Sequence, residues 1–237
     1  MKKIIVLILL FFIFLPAFAS RYQVYTPDNY KNDFDKEKIL FILDFSNSMT
    51  EYILGERKVD MMLNTIQHIL PTIDKNKEIG LRVYGHRLGL TAFDGCRASS
   101  LVVPIERDNG EKIEYALSKT KPRGMTPITY SLKKAIDSDF AGFSGEKHII
   151  LLSDGGENCD ESPCSWAIDL MQTRKDIKID VIAFSIKKVD DLEQLKCTAL
   201  VTKGHFYTAN TAAELSKGIT NSLNHRKNVD AKIIPNK

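Results

Sequence analysis

The sequence predicts a doubly wound α/β domain, with a mostly parallel six-stranded sheet covered by helices on both faces. Three observations carry that expectation. Strand-like and helix-like segments alternate from residue 39 to residue 223, and their connections are short, as in the crossover units of a parallel sheet. Two segments, Ile39–Leu43 and Lys147–Ser153, have uninterrupted apolar centres, the pattern of strands buried on both faces. Each is followed at once by an aspartate, Asp44 or Asp154.

The elements follow in order. Ile39–Leu43 is the first strand. Val59, Met62, Leu63, Ile66 and Ile69 recur at helical spacing, and Pro71 ends that helix. Ile79–Tyr84 alternates as a strand, and Leu101–Ile105 is another. Glu111–Lys119 and Ile128–Ile136 read as helices, the second announced by Thr126 as N-cap and Pro127 at the first helical position. Lys147–Ser153 is a strand, Ser165–Gln172 a helix, Ile177–Phe184 a strand and Leu192–Val201 a helix. A strand at Gly204–Thr208 and a helix at Ala212–Leu223 complete the set. No repeat or low-complexity segment interrupts the pattern. Residues 38–224 are therefore expected to form one domain, after a lead-in at 20–37 and before a flexible tail at 225–237.

Residues 1–19 stand apart. Lys2 and Lys3 precede an apolar run from Ile4 to Leu15, and Ala17-Phe18-Ala19 supplies an A-x-A ending, so the segment reads as a secretory signal peptide. The run is short against the ~20 residues that a spanning helix needs. Uncleaved, it would be the chain's link to a membrane. The chain is thus expected in the periplasm, outside the cell or at its surface. Losing Lys2 and Lys3 takes two charges from the formal +3, which leaves no basic excess of the kind that binds nucleic acid. A hydrophobic content of 43% and a charged content of 27% exclude a disordered chain. The four cysteines, Cys96, Cys159, Cys164 and Cys197, all follow the signal segment. An even count in an exported chain points to two disulfides, with three pairings open. A zinc site is the lesser alternative, because Cys159 and Cys164 have no histidine at ligand spacing.

Ligands of open α/β sheets bind outside the carboxyl ends of the strands. Three segments fall there: Asp44-Phe45-Ser46-Asn47-Ser48, Gly124-Met125-Thr126-Pro127-Ile128 and Ser153-Asp154-Gly155-Gly156. Singly, each is an ordinary turn or helix cap. Converging on one sheet edge, they bring two carboxylates and three hydroxyls, a hard-oxygen set that suits Mg²⁺ or Mn²⁺, with Ca²⁺ also admissible.

These residues resemble the von Willebrand factor A domain and its metal-ion-dependent adhesion site. That site is a D-x-S-x-S run, a separate threonine and an aspartate at a [T/S]-D-G strand end. The matching positions are Asp44, Ser46, Ser48, Thr126 and Asp154. The similarity runs from about Lys38 to Leu223. Val83-Tyr84-Gly85-His86, Gly124–Ile128 and Ser153–Cys164 give it the look of a bacterial exported stand-alone A domain. The resemblance implies a metal-bridged grip on an acidic residue of a partner protein, with neutral hydroxyls leaving the ion electrophilic. Loop position places Phe45, Asn47, Asp94, Arg97, Gly155 and Glu157 around that site, with His86 and Arg87 within reach. Trp166, at helical spacing with Leu170, reads as core. The family's strand order favours Cys96–Cys159 with Cys164–Cys197, both of the latter beginning neighbouring helices, over Cys96–Cys197 with Cys159–Cys164.

The alternative function is a metal-dependent hydrolase that uses a metal-bound water. It needs a general base, for which only His86 or Glu157 is at hand. The chain has no G-x-S-x-G, H-E-x-x-H or phosphate-binding loop. A binding module, not an enzyme, is the expected reading.

Overall fold

The computed structural model describes residues 36–224, so the expected signal peptide, most of the lead-in and the tail lie outside the described residues. Strand β1 (Glu37–Asp44) is followed by a single 3-10 turn at Asn47–Thr50 and a two-stranded hairpin, β2 (Tyr52–Ile53) and β3 (Glu56–Arg57). Then come helix α1 (Lys58–Ile69), β4 (Glu78–Tyr84), the one-turn α2 (Ala92–Gly95), β5 (Ser99–Glu106) and α3 (Gly110–Lys119). The second half contains α4 (Ile128–Lys134), β6 (Glu146–Ser153), α5 (Pro163–Thr173), β7 (Ile177–Phe184), α6 (Val189–Val201), β8 (Phe206–Ala209) and α7 (Ala212–Asn224). The main sheet has six strands in the order β5-β4-β1-β6-β7-β8. Only β5 runs antiparallel to its neighbour.

Strand periodicity explains the two cores. Ile39, Phe41 and Leu43 of β1 face one side, where they join Val59, Met62 and Ile66 of α1, Ile113 of α3 and Ile219 of α7. Leu40 and Ile42 face the other and join Leu132 of α4 and Leu195 and Ala199 of α6. A strand with helices on both faces has no solvent side, which is why its apolar run is unbroken.

Two buried polar clusters tie elements across these layers. Asp139 receives the Arg82 guanidinium through Nε at 2.6 Å and Nη2 at 2.7 Å. Asp139 belongs to the π-helical turn Ala135–Asp139 that ends α4. The expected helix over Ile128–Ile136 therefore widens in its last turn, which brings Asp139 to Arg82. Farther along the sheet, His148 Nε2 lies 3.0 Å from Asp180 Oδ2 and its Nδ1 lies 3.3 Å from Glu37 Oε1. Ser222 of α7 also donates to Asp180, so the last helix is pinned to β7.

Several element boundaries differ from expectation for local reasons. Gly204 closes α6, since its N–H reaches Ala199 O and a Cβ there would sit 1.9 Å from Ile179 O; the last strand starts at Phe206, not Gly204. Helix α6 begins three residues before Leu192 because Asp190 and Asp191 occupy its first turn, where acids are favourable but carry no apolar period. The β2–β3 hairpin turns through Leu54 (φ 53°) and lacks the usual Asn-Gly signature. Cys96 pairs with Cys159 (Cα–Cα 5.5 Å) and Cys164 with Cys197 (5.4 Å). The family's strand order favours this pairing. Cys164 is in the first turn of α5, but Cys197 lies well inside α6 and does not begin it.

Candidate metal centre

Strands β1 and β6 are parallel neighbours with Leu43 opposite Leu152, so Asp44 and Asp154 leave the sheet side by side. Asp44 is fully buried and both of its oxygens accept hydrogen bonds. Oδ1 takes the Ser46 N–H at 2.7 Å, and Oδ2 takes the Ser153 hydroxyl at 2.8 Å. Ser153 in turn accepts from the buried Tyr84 hydroxyl at 2.9 Å. Asp154 Oδ1 accepts the Ser48 hydroxyl at 2.7 Å, and the Ser46 and Ser48 hydroxyl oxygens are 3.0 Å apart. Four of the five expected ligand residues thus form one hydrogen-bonded cluster.

Thr126 joins them through the backbone. Ser46 forms a β-bridge with Gly124, and the Asn47 N–H reaches Gly124 O at 2.9 Å. Asn158 Oδ1 then takes the Thr126 N–H at 2.7 Å. Gly85 makes this crossing possible: it has φ +68°, and a Cβ there would lie 2.5 Å from Ser46 N and 2.7 Å from Met125 O.

The charges are unbalanced in an informative way. Burial, followed by the nearby charge of Asp154, pushes the Asp44 carboxyl up to about 6, against the hydrogen bonds from Ser46 and Ser153. A positive charge is wanted between the two carboxylates. One is already present on one side. The Lys58 ammonium lies 2.9 Å from Asp154 Oδ2 and 2.8 Å from Glu51 Oε2, with its side chain 8% exposed. Burial opposes its charge, but the bonds to Glu51 and Asp154 outweigh that and hold its pKa above the ordinary lysine value. Lys58 was not anticipated from sequence. The available signal was weak: a lysine in the first turn of a helix is on the wrong side of the helix dipole and needs a local acid.

Other expected neighbours are placed differently. Phe45 does not line the site; it is fully buried in the core that β1 shares with α1. The half-buried Glu157 turns inward, its Oε2 accepting the Thr129 N–H at 2.7 Å and its Oε1 the Cys159 N–H at 3.0 Å. Burial raises its pKa against those two bonds. His86 Nε2 lies 3.2 Å from Ser100 Oγ of β5. Burial, then Arg87, lowers its pKa. Arg87 Nη2 donates to Arg97 O. Asn47, Asp94 and Arg97 are exposed, and Gly155 is half-buried. Trp166 packs against the second core. Glu157 is thus engaged at the start of α4, whereas His86 is partnered at Nε2 alone and its buried Nδ1 has no hydrogen-bond partner among the described residues.

Among the described residues no group of three or more His, Cys, Asp or Glu could hold a metal ion, so a cation here would depend on hydroxyl oxygens. The donor set fits a hard divalent ion. Two carboxylates match its charge, and Ser46, Ser48 and Thr126 add neutral oxygens.

A mostly parallel sheet in this strand order, with this cluster at the carboxyl ends of β1 and β6, defines a class of protein-interaction modules that often bind a divalent metal. The chain belongs to the von Willebrand factor type A domain family, whose model matches residues 38–221. It is 27% identical over 212 residues to the uncharacterized protein YwmD of Bacillus subtilis, covering 85% of this chain and 87% of that one. Two solved structures share the fold at low identity. Proximal thread matrix protein 1 of the mussel byssus, with a zinc-occupied MIDAS motif, superposes at TM-score 0.62 and 20% identity, over 81% of this chain and 46% of that chain. The pilus adhesin SpaC of Lactobacillus rhamnosus GG superposes at TM-score 0.62 and 13% identity, over 80% of this chain and 30% of that chain.

Proposed function

We propose that this chain is an exported, metal-dependent protein-binding module. Asp44, Ser46, Ser48, Thr126 and Asp154 hold a divalent cation, Mg²⁺ first and Mn²⁺ or Ca²⁺ as alternatives. The bound ion supplies an open, electrophilic position for a carboxylate from a partner protein. The observation that carries this reading is the hydrogen-bonded cluster of Asp44, Ser46, Ser48 and Asp154 at one strand edge.

The roles of the residues follow from their bonds. Asp44 is locked by Ser46 N–H and Ser153 and contributes charge. Ser46 and Ser48 present neutral oxygens, and Asn158 holds the Thr126 backbone in place. The zinc-occupied MIDAS of the mussel protein, on the same fold, supports a metal at this position. Two paired disulfides, the signal-like segment 1–19 and a pilus adhesin of the same fold support export. No helix among the described residues is long and apolar enough to cross a membrane.

Isothermal titration of Mg²⁺ and Mn²⁺ into the metal-free chain tests the site. Binding is expected in the native chain and its loss in Asp44→Ala and Thr126→Ala, with both variants folded by circular dichroism. Capture of envelope proteins that persists unchanged in EDTA would contradict the adhesive role.

A further inference from the structure

The fourteen-residue connection from β4 to β5, residues 85–98, exposes large apolar side chains beside the metal centre. Leu88 is 74% exposed, Leu90 101% and Phe93 64%, three of the nine large hydrophobics most exposed among the described residues. All three lie within six residues.

Mobility does not account for this exposure, because the loop is built. Thr91 and Asp94 form a reciprocal capping box at the start of α2. Cys96 is bonded to Cys159, next to the Asn158 that holds Thr126. Arg97 lies 3.5 Å over the Phe93 ring, and its carbonyl accepts Arg87 Nη2 at 3.0 Å. Together with Arg123, Gly124 and Met125, the loop lines a groove of about 430 Å³. The floor of that groove, Gly124-Met125, leads directly into Thr126. A rigid apolar crest of this kind, fixed and unburied, marks a contact surface.

The loop and its groove carry more positive than negative charge. Arg97 lies on Phe93, Arg87 reaches Arg97 and Arg123 lines the groove, against the one acid in the loop, Asp94, whose Oδ2 is bonded to Thr91. We infer that the crest Leu88–Leu90–Phe93 and its arginine rim form the second half of the partner-binding face. They select a partner segment in which the acidic residue offered to the metal is followed by apolar side chains and a further acid. This deepens the function proposed above and rests on it. Residues beside a metal-bound carboxylate are desolvated by the same contact, so apolar area there adds to affinity while the arginines set register.

The test uses the Mg²⁺-loaded mature chain and two synthetic peptides, one carrying Asp-Leu-Phe-Glu and one carrying Asp-Ser-Ser-Glu between identical glycine-serine flanks. Binding is read by ¹H–¹⁵N chemical-shift titration, and Mg²⁺ affinity by calorimetry. The native chain is expected to prefer the apolar peptide by about tenfold, only with Mg²⁺ present, and the Leu88→Ser/Leu90→Ser/Phe93→Ser variant to lose that preference. The variant should keep its Mg²⁺ affinity, which shows that it is folded and that the metal centre is intact. If the native chain fails to bind Mg²⁺, the metal reading itself fails. If it binds Mg²⁺ but shows no preference, or if the variant keeps the preference, the crest is not the partner surface. Crest-dependent binding to anionic phosphatidylglycerol vesicles, or crest-dependent self-association, without peptide preference would also overturn the inference, in favour of a membrane or a second copy of the chain.

Discussion

Replacing Lys58 with methionine removes the ammonium bonded to Asp154 while keeping most of the length of its side chain. Its Nζ is 2.9 Å from Asp154 Oδ2, and the Asp154 side chain is 0% exposed. At that separation the pair attracts by about 6 kcal/mol at an effective dielectric constant of ~20, most of it offset by the desolvation of both groups. Breaking one side of such a pair leaves a buried carboxylate unpaired, beside a second carboxylate at Asp44, and costs about 3–5 kcal/mol. Glu51, 64% exposed at its side chain, adds little. For a domain of this size each 1 kcal/mol moves Tm by ~2–4 °C, so the metal-free variant should melt roughly 10 °C lower.

Adding Mg²⁺ reverses the comparison. The ammonium repels any cation placed between Asp44 and Asp154, and without it the ion is held about tenfold or more tightly, a gain of ~1.4 kcal/mol. Mg²⁺ should therefore raise Tm by more in Lys58→Met than in the native chain, since stabilisation follows RT ln(1 + [L]/Kd). Differential scanning calorimetry in EDTA and in saturating Mg²⁺, with calorimetric titration of the ion, measures both halves. The reasoning is refuted by a metal-free loss below about 1 kcal/mol, or by Mg²⁺ affinity that stays the same or weakens. Weakening would mean that Lys58 orients Asp154 for the ion and does not compete with it.

Three further outcomes are expected. In the metal-free chain the raised Asp44 pKa makes the folded state hold a proton that the unfolded state releases, so stability falls as pH rises from about 4 through about 6; urea unfolding in EDTA should show this slope, and Asp44→Asn should lack it. His148 is buried, which opposes its charge, but its bonds to Asp180 and Glu37 raise its pKa above the usual 6.5. The stability it contributes is complete below that value and is lost as pH climbs through the folded pKa, so Tm should decline on the alkaline side in the native chain but not in His148→Asn. Of the disulfides, Cys96–Cys159 closes a separation of 63 residues and Cys164–Cys197 one of 33. Serine pairs at each should cost about 2–4 kcal/mol in denaturant, the longer loop by ~0.6 kcal/mol more if chain entropy dominates.

The fold was readable because β1 and β6 are covered on both faces, and continuous apolar runs such as Ile39–Leu43 rarely occur in a strand with a solvent side. The direction of β5 was not readable, because half-buried strands look alike whether they run parallel or antiparallel. At the site, the convergence of Asp44, Ser46, Ser48 and Asp154 on one sheet edge, with the Gly124–Thr126 segment bridged to them, was legible through residue type and position after a strand or before a helix. Their neighbours were misjudged where chain adjacency was taken for spatial adjacency. Phe45 directly follows Asp44, yet successive residues of an extended chain point to opposite sides, and Phe45 goes into the core. Glu157 was expected on the open face but caps the start of α4, since two nearby backbone N–H groups had no helical partner. Lys58 escaped notice because its partner Asp154 lies 96 residues away, and no local pattern records a tertiary ion pair.

The hydrogen bonds of the cluster also bear on how a metal enters. Asp44, Ser46, Ser48, Ser153 and Asp154 are joined by hydrogen bonds among backbone and side chains, and Thr126 is held by Asn158. Lys58 supplies part of the positive charge that the carboxylates need. On the proposed function, a cation would take the place of the Lys58 ammonium and the Asp44 proton between carboxylates that these bonds hold, in contrast to small domains whose metal creates their core. It follows that Mg²⁺ should leave the far-ultraviolet circular dichroism spectrum unchanged while releasing protons near pH 6, where Asp44 is partly protonated. A large gain of helix on adding Mg²⁺ would show instead that the ion organises the loops. The rigidity of the β4–β5 connection, anchored by Cys96–Cys159, would then depend on the metal as well as on the disulfide.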